Sequence, residues 1–227
     1  RNNRWLIVAD GPADANPLIA ELLKLNGESR IITQEEALRP SVVAQCSLVV
    51  NCSAKSSADL YRQLALRGIP VIETDHLPQH HSTHAALLDR HLAAFNLGRD
   101  LLLAGHSRLA ALDMQGSTAV LNGLSQAARR YGNGIVETLT PEQLGEALED
   151  NTTAFICDGN DLAGQILCML DTWGIRPGGR SSISLCAIGM MTQEICCSGY
   201  YIDPARQASA VAEVARSIQA HRNSILW

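Results

Sequence analysis

Residues 152–189 read TTAFICDGNDLAGQILCMLDTWGIRPGGRSSISLCAIG, and this stretch decides the fold that the sequence predicts. A short apolar run is followed by the polar residues 158–161 and then by apolar residues at helical spacing. Gly174 ends that helix, and a second apolar run at 183–188 closes the unit. The order of strand, polar loop, helix, turn and strand predicts a βαβ crossover. Its polar loop lies beyond the carboxyl end of a strand, where open α/β sheets bind their ligands.

Upstream of that stretch, apolar runs alternate with helical patterns from the N-terminus onward. Predicted strands occupy residues 5–9, 29–34, 47–52 and 69–74. Predicted helices occupy residues 17–25, 35–45 with a break or restart at Pro40, and 56–67 with a cap at Ser56 or Ser57. The order β-α-β-α-β-α-β indicates a parallel sheet wrapped by helices.

The same alternation continues through the second half of the chain. A helix that ends at Gly105 in a left-handed turn precedes a predicted strand at 108–113. Further on, the patterns predict helices at 117–131 and 141–149, a strand at 134–139 and a long amphipathic helix at 204–221. The sequence therefore predicts two consecutive α/β lobes, an N-terminal lobe at 1–88 and a C-terminal lobe at 89–227.

The composition limits the classes of protein to which the chain belongs. Hydrophobic residues make up 46% of its 227 residues and charged residues 18%, so a sizeable core is available and disorder is disfavoured. The net charge is −5 and the pI is about 5.8, whereas a domain that grips DNA by itself has a pI above roughly 9. No apolar run approaches the ~20 residues of a membrane span. The N-terminal residues RNNRWLIVADG show no signal-peptide pattern, which disfavours export.

The cysteine pattern favours a reducing compartment. The number is odd, no CxxC occurs, and most of the cysteines lie inside apolar strand or helix patterns. We therefore expect reduced, buried thiols in a cytoplasmic protein, with no metal ion and no cofactor. A metal or redox site is the alternative, but nothing at ligand spacing supports it. The seven cysteines are Cys46, Cys52, Cys157, Cys168, Cys186, Cys196 and Cys197.

Histidines cluster in the polar passage 76–89, which reads HLPQHHSTHAALLD and holds His76, His80, His81 and His84. Their spacing on a proline-containing segment matches no common metal-ligand pattern, so we expect a solvated loop. A fifth histidine, His106, follows the predicted helix end, where an imidazole satisfies the last carbonyls and the helix dipole. A functional imidazole is the alternative for His106.

Three stretches resemble the effector-binding domain of LacI/GalR-type transcription regulators. The first stretch, residues 152–189, matches the family run "tAi.a.nD..A.G...al...G...P...S..g". The second, residues 89–113, matches "Dn..ga..a...L...GH..ia.l". The third, residues 67–75, reads RGIPVIETD and matches "giPvV..d". The matching residues of the first are Thr153, Ala154, Asn160, Asp161, Ala163, Gly174, Pro177 and Ser184. Those of the second are Asp89, Ala94, Leu102, Gly105, His106 and Leu109. Periplasmic sugar-binding proteins share this fold, so the resemblance names a fold more firmly than a role.

The resemblance implies the type I periplasmic-binding-protein-like fold. This is an α/β fold of two similar lobes, each a parallel sheet flanked by helices, with a ligand cleft between them. It also implies that the C-terminal segment crosses back to the first lobe. The candidate ligand-binding residues are Asp10, Asp14, Asn16, Ser53, Asp75, Asp89, Asp158, Asn160 and Asp161. Polar side chains fixed at strand ends suit a polyhydroxylated ligand, because paired acceptors orient hydroxyl groups.

Some of these residues have a structural alternative, and two family positions are altered. Asp161 is also a candidate helix N-cap, and Asp10 and Asp14 are candidates for turn chemistry. Where the family carries an arginine this chain has Val120, and where it carries an aspartate the chain has Gly189. The loss removes two strong anchors for hydroxyl groups or anions. Candidate replacement cations are Lys55, Arg90 and Arg180.

The function implied by the resemblance is that of the effector-sensing and dimerisation domain of a bacterial transcription regulator of repressor type. Such a domain binds a small, carbohydrate-like effector, forms a homodimer, and reaches DNA through a head domain N-terminal to these residues. It has no membrane partner. The alternatives are a periplasmic solute-binding protein, an enzyme, and a sensor that has lost its ligand and only dimerises. An enzyme is disfavoured because the chain has no GxSxG, no P-loop and no GxGxxG.

Overall fold

A computed structural model describes residues 4–11, 16–44, 46–53, 57–75, 83–112, 118–132, 134–178, 182–192 and 197–224. The first elements are β1 (Trp5–Val8), α1 (Pro17–Leu25), β2 (Arg30–Ile32), α2 (Gln34–Ala37), α3 (Pro40–Val43), β3 (Leu48–Asn51), α4 (Ala58–Leu66), β4 (Val71–Glu73) and β5 (Thr83–Ala85). They are followed by α5 (Arg90–Leu103), β6 (Arg108–Leu112), α6 (Thr118–Tyr131), β7 (Ile135–Leu139), a 3₁₀ turn (Pro141–Gln143) and α7 (Leu144–Glu149). The last are β8 (Ala154–Asp158), α8 (Asn160–Thr172), β9 (Ser184–Met190), β10 (Ser198–Ile202) and α9 (Pro204–Ser224).

The chain divides into two compact units, and each contains its own sheet. Unit 1 comprises the residues up to Leu88 together with those from Asp203 onward, and unit 2 comprises Asp89–Ile202. The segment from Asp203 thus belongs to unit 1, whereas the simple division at 89–227 would assign it to the second lobe. In the described chain no helix is both long and apolar enough to span a membrane.

The sheet of unit 1 has five parallel strands in the order β2-β1-β3-β4-β5. β1 and β3 lie at its centre, and all four residues of each strand are buried, as expected for a parallel sheet covered on both faces. Helix α9 packs on α1, β4 and β5, so the C-terminal helix completes this unit. One core cluster of the unit contains Leu6, Val8, Ile32, Val49, Leu60 and Leu64.

The sheet of unit 2 also has five parallel strands, in the order β10-β9-β8-β6-β7. Helix α8 turns its apolar stripe to this sheet, and Phe155 of β8 is fully buried beneath it. On the other side α5 packs closely on α6. A Cβ atom at Gly123 of α6 would lie 2.8 Å from the Cβ atom of Ala94, so a glycine permits this close helix crossing.

The structure differs from the sequence prediction at short elements. Residues 83–85 lie inside the passage predicted as a solvated loop, but they form β5 and pair with β4. Three residues are too short to show a periodic pattern, so tertiary pairing decides their conformation. By contrast, the restart predicted at Pro40 within 35–45 is confirmed, because Pro40 begins a second four-residue helix after the extended Arg39.

Candidate functional site

Most of the residues predicted to bind a ligand follow the carboxyl ends of parallel strands. In unit 1, Asp10, Ser53 and Asp75 come after β1, β3 and β4. In unit 2, Asp158 is the last residue of β8, and α8 begins directly after it with Asn160 and Asp161. Because all strands of a sheet are parallel, these ends meet at one edge, which we call the carboxyl edge of that unit. Asp14 lies outside the described residues, as does Lys55.

At the carboxyl edge of unit 1, the side chain of Ser53 joins two of the loops. Its Oγ atom donates a hydrogen bond to Oδ1 of Asp10 at 2.7 Å and accepts one from Nε2 of Gln34 at 2.8 Å. Ser53 is buried, whereas Asp10 is exposed. The structure thus brings two predicted residues together, and it adds Gln34, which the sequence did not single out.

Behind Ser53 lies a buried polar network that the sequence analysis missed. Nδ2 of Asn51 donates to Oε2 of Glu73 at 3.0 Å and to the hydroxyl oxygen of Tyr61 at 3.1 Å, while Oδ1 of Asn51 accepts from the Ser53 backbone N–H at 3.2 Å. Asn51 and Glu73 are at most 1% exposed. The sequence did carry a signal for this network, because the otherwise apolar strands 48–51 and 71–73 each end in a polar residue, Asn51 and Glu73. The network fixes the strand ends from which the loop residues extend.

Three predicted residues lie at helix starts. Asn16 caps α1 by accepting a hydrogen bond from the Leu18 backbone N–H, and Asp89 caps α5 in the same way through Leu92. Asp161 is exposed in the first turn of α8, whose N-cap is Gly159. The interpretation of Asp161 as the N-cap is therefore wrong. Gly159 takes that position because its φ of 114° favours glycine.

An ion pair lies at the carboxyl edge of unit 2. Nε of Arg90, the first residue of α5, donates to Oδ1 of Asp158 at 2.9 Å. The side chains are only 24% and 12% exposed, so the pair is largely withdrawn from water. Three candidate replacement cations were predicted from the sequence. Arg90 lies within the described residues, whereas Lys55 and Arg180 lie outside them.

Next to this pair, the side-chain amide of Asn160 is fixed in orientation. Its Nδ2 donates to the carbonyl oxygen of Met190 at 2.8 Å and to Oγ1 of Thr192 at 3.3 Å. A carbonyl oxygen only accepts, so the amide nitrogen rather than its oxygen must face Met190. Among the residues that the structure describes, the buried Oδ1 atom of Asn160 has no hydrogen-bond partner. The amide thus presents an acceptor that lacks a donor.

The two altered family positions contribute no charge to unit 2. Val120 is 1% exposed and belongs to the buried face of α6. Gly189 is buried in β9, where an added Cβ atom would lie 3.5 Å from the Cα atom of Gly159, an ordinary contact distance. The space at Gly189 therefore accepts a small side chain, but the chain places none there.

His106 lies at the start of β6, at the opposite edge of the same sheet. Its Nδ1 atom is 2.9 Å from Oγ1 of Thr153, and its Nε2 atom is 3.0 Å from Oγ of Ser184. The imidazole therefore links the amino ends of three strands, and the prediction that it satisfies the helix carbonyls is wrong. Burial lowers the pKa of His106, which favours the neutral ring.

The described histidines and cysteines form no metal site. No group of three or more His, Cys, Asp or Glu side chains within the described ranges is arranged to hold a metal ion. His84 is exposed on β5, whereas His76, His80 and His81 lie outside those ranges. The expectation of buried thiols holds for Cys157 and Cys186 but is wrong for Cys168, which is exposed. Burial raises the pKa of the Cys52 thiol to about 12 and that of Cys186 to about 11.

Comparison with known proteins identifies solved structures with a similar fold. No family model matches the chain, and no curated protein matches it. Among solved structures, a LacI family transcriptional regulator from Enterococcus faecium with bound ribose has a TM-score of 0.72 and 15% identity, covering 95% of this chain and 90% of that one. The Cra transcriptional dual regulator from Pseudomonas putida, in complex with fructose 1-phosphate, has a TM-score of 0.69 and 17% identity, covering 98% of this chain and 93% of that one. The transcription regulator CcpA of Lactococcus lactis has a TM-score of 0.75 and 12% identity, covering 97% of this chain and 92% of that one.

At these identities the similarity shows the fold. The chain has the two-unit α/β fold of LacI-family transcriptional regulators, which confirms the predicted fold class.

Proposed function

We propose that this chain is the effector-sensing and dimerisation domain of a LacI/GalR-type transcription regulator. In this proposal it binds a small, sugar-like molecule through residues at the carboxyl edges of its two sheets. The observation that carries the proposal is the set of fixed polar side chains at those edges, on a fold shared with LacI-family regulators. Two of the similar structures contain ribose and fructose 1-phosphate.

The polar groups at the two edges suit hydroxyl groups. Ser53 holds Asp10 in unit 1, and Arg90 holds Asp158 in unit 2, so a carboxylate at each edge is oriented by a neighbour. A sugar hydroxyl both donates and accepts, so it can donate to an oriented carboxylate and accept from a guanidinium group. Asn16, Asp75, Asp89 and Asp161 remain proposed contacts, together with Asn160.

The remaining partners follow from the same proposal. The net charge of −5 argues against a DNA contact by these residues, so DNA is reached through a separate head domain. A homodimer matches the two-fold symmetry of operators that such regulators bind. Effector binding then acts by linkage, because a ligand that prefers one conformation shifts the population that binds DNA, with a coupling of about 1–3 kcal/mol.

Two other functions are less well supported. A periplasmic solute-binding protein has the same fold, but cysteines outside disulfides, such as Cys168 and Cys186, suit a cytoplasmic protein better than an oxidising compartment. An enzyme would need an activated nucleophile or an acid–base pair. The histidine described with two hydroxyl partners, His106, lies at the amino edge, away from the predicted ligand loops.

A thermal-shift screen of the purified chain tests the proposal. Sugars, sugar phosphates, nucleosides and amino acids are added one at a time, and a ligand at 100 times its Kd should stabilise the protein by about 2.7 kcal/mol, a shift of several degrees. Asn160→Ala should abolish the shift, whereas Gln165→Ala, on the exposed face of the same helix, should retain it. A folded protein that responds to none of these ligands contradicts effector sensing.

A further inference from the structure

The ion pair between Arg90 and Asp158 bears on the chemical class of the effector. We propose that the carboxyl edge of unit 2 binds an uncharged polyhydroxylated molecule through Arg90 and Asp158, and that it discriminates against the phosphorylated form of the same molecule. This inference rests on the proposed function and deepens it.

The charge of Arg90 is already balanced within the protein. Its Nε–H group is directed at Oδ1 of Asp158 at 2.9 Å, and both side chains are mostly buried. A buried guanidinium paired with a carboxylate has little net attraction for a second anion. The same pair nevertheless offers N–H donors beside carboxylate acceptors. Each hydroxyl of a diol has one hydrogen and two lone pairs, so it can use both kinds of group.

Asn160 adds a requirement for a donor. Its Nδ2 is held by Met190 and Thr192, and its Oδ1 accepts no hydrogen bond from the described part of the chain. A buried acceptor without a donor is unfavourable, so a ligand that supplies an O–H group, with a small rearrangement to reach this atom, gains from the contact. A phosphate group near pH 7.5 is mostly a dianion and offers acceptors only. The amide therefore favours a hydroxyl over a phosphate.

The surroundings reinforce this preference. Asp161 and Asp89 are exposed carboxylates at the starts of α8 and α5, the two helices that carry Asn160 and Arg90. Val120 supplies no second cation at the position where the family resemblance expects an arginine. A phosphate dianion brought to this edge would meet carboxylates, and Arg90, the cation that the described residues place there, is already paired with Asp158, whereas a neutral polyol meets no such repulsion.

Calorimetric titration of the chain with matched ligands tests the inference. The pairs are ribose and ribose 5-phosphate, fructose and fructose 1-phosphate, glucose and glucose 6-phosphate, and adenosine and adenosine monophosphate. In at least one pair the uncharged member should bind, with its phosphorylated partner at least about 10-fold weaker. A phosphorylated member that binds as tightly as its partner, or more tightly, overturns the inference and leaves the proposed function intact. Failure of every pair contradicts both.

Variants of the ion pair test the role of Arg90 itself. Arg90→Gln should weaken the uncharged ligand by about 10- to 100-fold, the usual loss for a hydrogen bond to a charged group. The double variant Arg90→Gln with Asp158→Asn keeps two hydrogen-bonding side chains without a buried lone charge, and it should fold and still bind weakly. Arg99→Gln breaks an exposed pair with Asp100 on the same helix and is the matched control. Wild-type affinity in the folded double variant overturns the assignment.

Discussion

The side-chain nitrogen of Gln207 donates a hydrogen bond to the carbonyl oxygen of Ala86 at 2.9 Å, although 121 residues separate the two in sequence. The same nitrogen donates to the carbonyl oxygen of Thr74 at 2.7 Å. Gln207 lies in the second turn of α9 and is 2% exposed. One amide group therefore ties the C-terminal helix to the ends of β4 and β5.

Replacement of Gln207 should destabilise unit 1. Gln207→Leu leaves two buried carbonyl groups without their donor and should lower the free energy of unfolding by about 2 kcal/mol. Gln207→Glu should be worse, because a carboxylate cannot donate to either carbonyl. Urea denaturation measures both changes. Ser209→Ala, at an exposed position of the same helix, should change stability by less than about 0.5 kcal/mol; an equal loss in that control contradicts the explanation.

Two glycine-to-alanine changes should have opposite signs. At Gly123 the new methyl group would overlap the carbonyl oxygen of His91, so α5 and α6 must separate at a cost of about 1–3 kcal/mol. At Gly164 of α8 a Cβ atom meets nothing within 4 Å, and the better helix propensity of alanine should stabilise by about 0.5–1 kcal/mol. Thermal unfolding of the two variants distinguishes these outcomes, and a shift of the same sign in both would refute the close helix crossing.

The Asn51 network should contribute strongly to stability. Asn51→Leu has a similar volume but removes the three hydrogen bonds that the Asn51 side chain makes to Glu73, Tyr61 and the Ser53 backbone N–H, so we expect a loss of about 3 kcal/mol. Tyr61→Phe removes one partner and should cost about 1 kcal/mol. Chemical denaturation reports both losses. Equal effects of the two variants would show that Asn51 does not organise the network.

His106 should make unfolding dependent on pH. Burial lowers its pKa in the folded protein, so on acidification the unfolded chain takes up the proton first. The stability associated with the neutral ring is thus complete above about pH 6.5 and is lost as the pH falls through the folded-state pKa. His106→Asn should lose less stability than the wild type between pH 7.5 and 5.5. The variant His91→Asn, at an exposed position, is the control and should lose as much stability as the wild type over this pH range. Identical losses of stability in all three proteins would show that His106 does not cause the pH dependence.

The cysteines should differ widely in reactivity. The raised pKa values of Cys52, about 12, and Cys186, about 11, leave little thiolate at pH 8, and Cys186 is also buried. Cys168 is exposed on α8. Alkylation of the native protein, followed by peptide mass spectrometry, should modify Cys168 at least about 100-fold faster than Cys52. Comparable rates would show that Cys52 is accessible.

Much of the fold could be predicted because its strands are continuous apolar runs and its helices have clear ends. Gly105 and Gly174, both with positive φ, end helices as the sequence indicated. β5 could not be predicted in this way, because its three residues gain their conformation from pairing with β4. Short elements carry too little local signal to outweigh tertiary contacts.

The candidate site was predictable in its composition but not in its connections. Parallel strand ends identified Asp10, Ser53 and Asp158 as loop residues. Their partners are remote in sequence: Arg90 lies 68 residues from Asp158, and Ser53 lies 43 residues from Asp10. A side-chain contact over such separations depends on the packing of whole elements, so a motif search over neighbouring residues does not find it.

The position of α9 has a consequence for the synthesis of the protein. Unit 2 is one continuous segment, so it can fold as soon as Ile202 has emerged from the ribosome. Unit 1 begins earlier in the chain but receives Ala208, Val211 and Ala215, which are buried, only after all of unit 2 has been synthesised. The unit that the ribosome begins first is therefore completed after the other, and until then the residues up to Leu88 expose the apolar surface that α9 will cover.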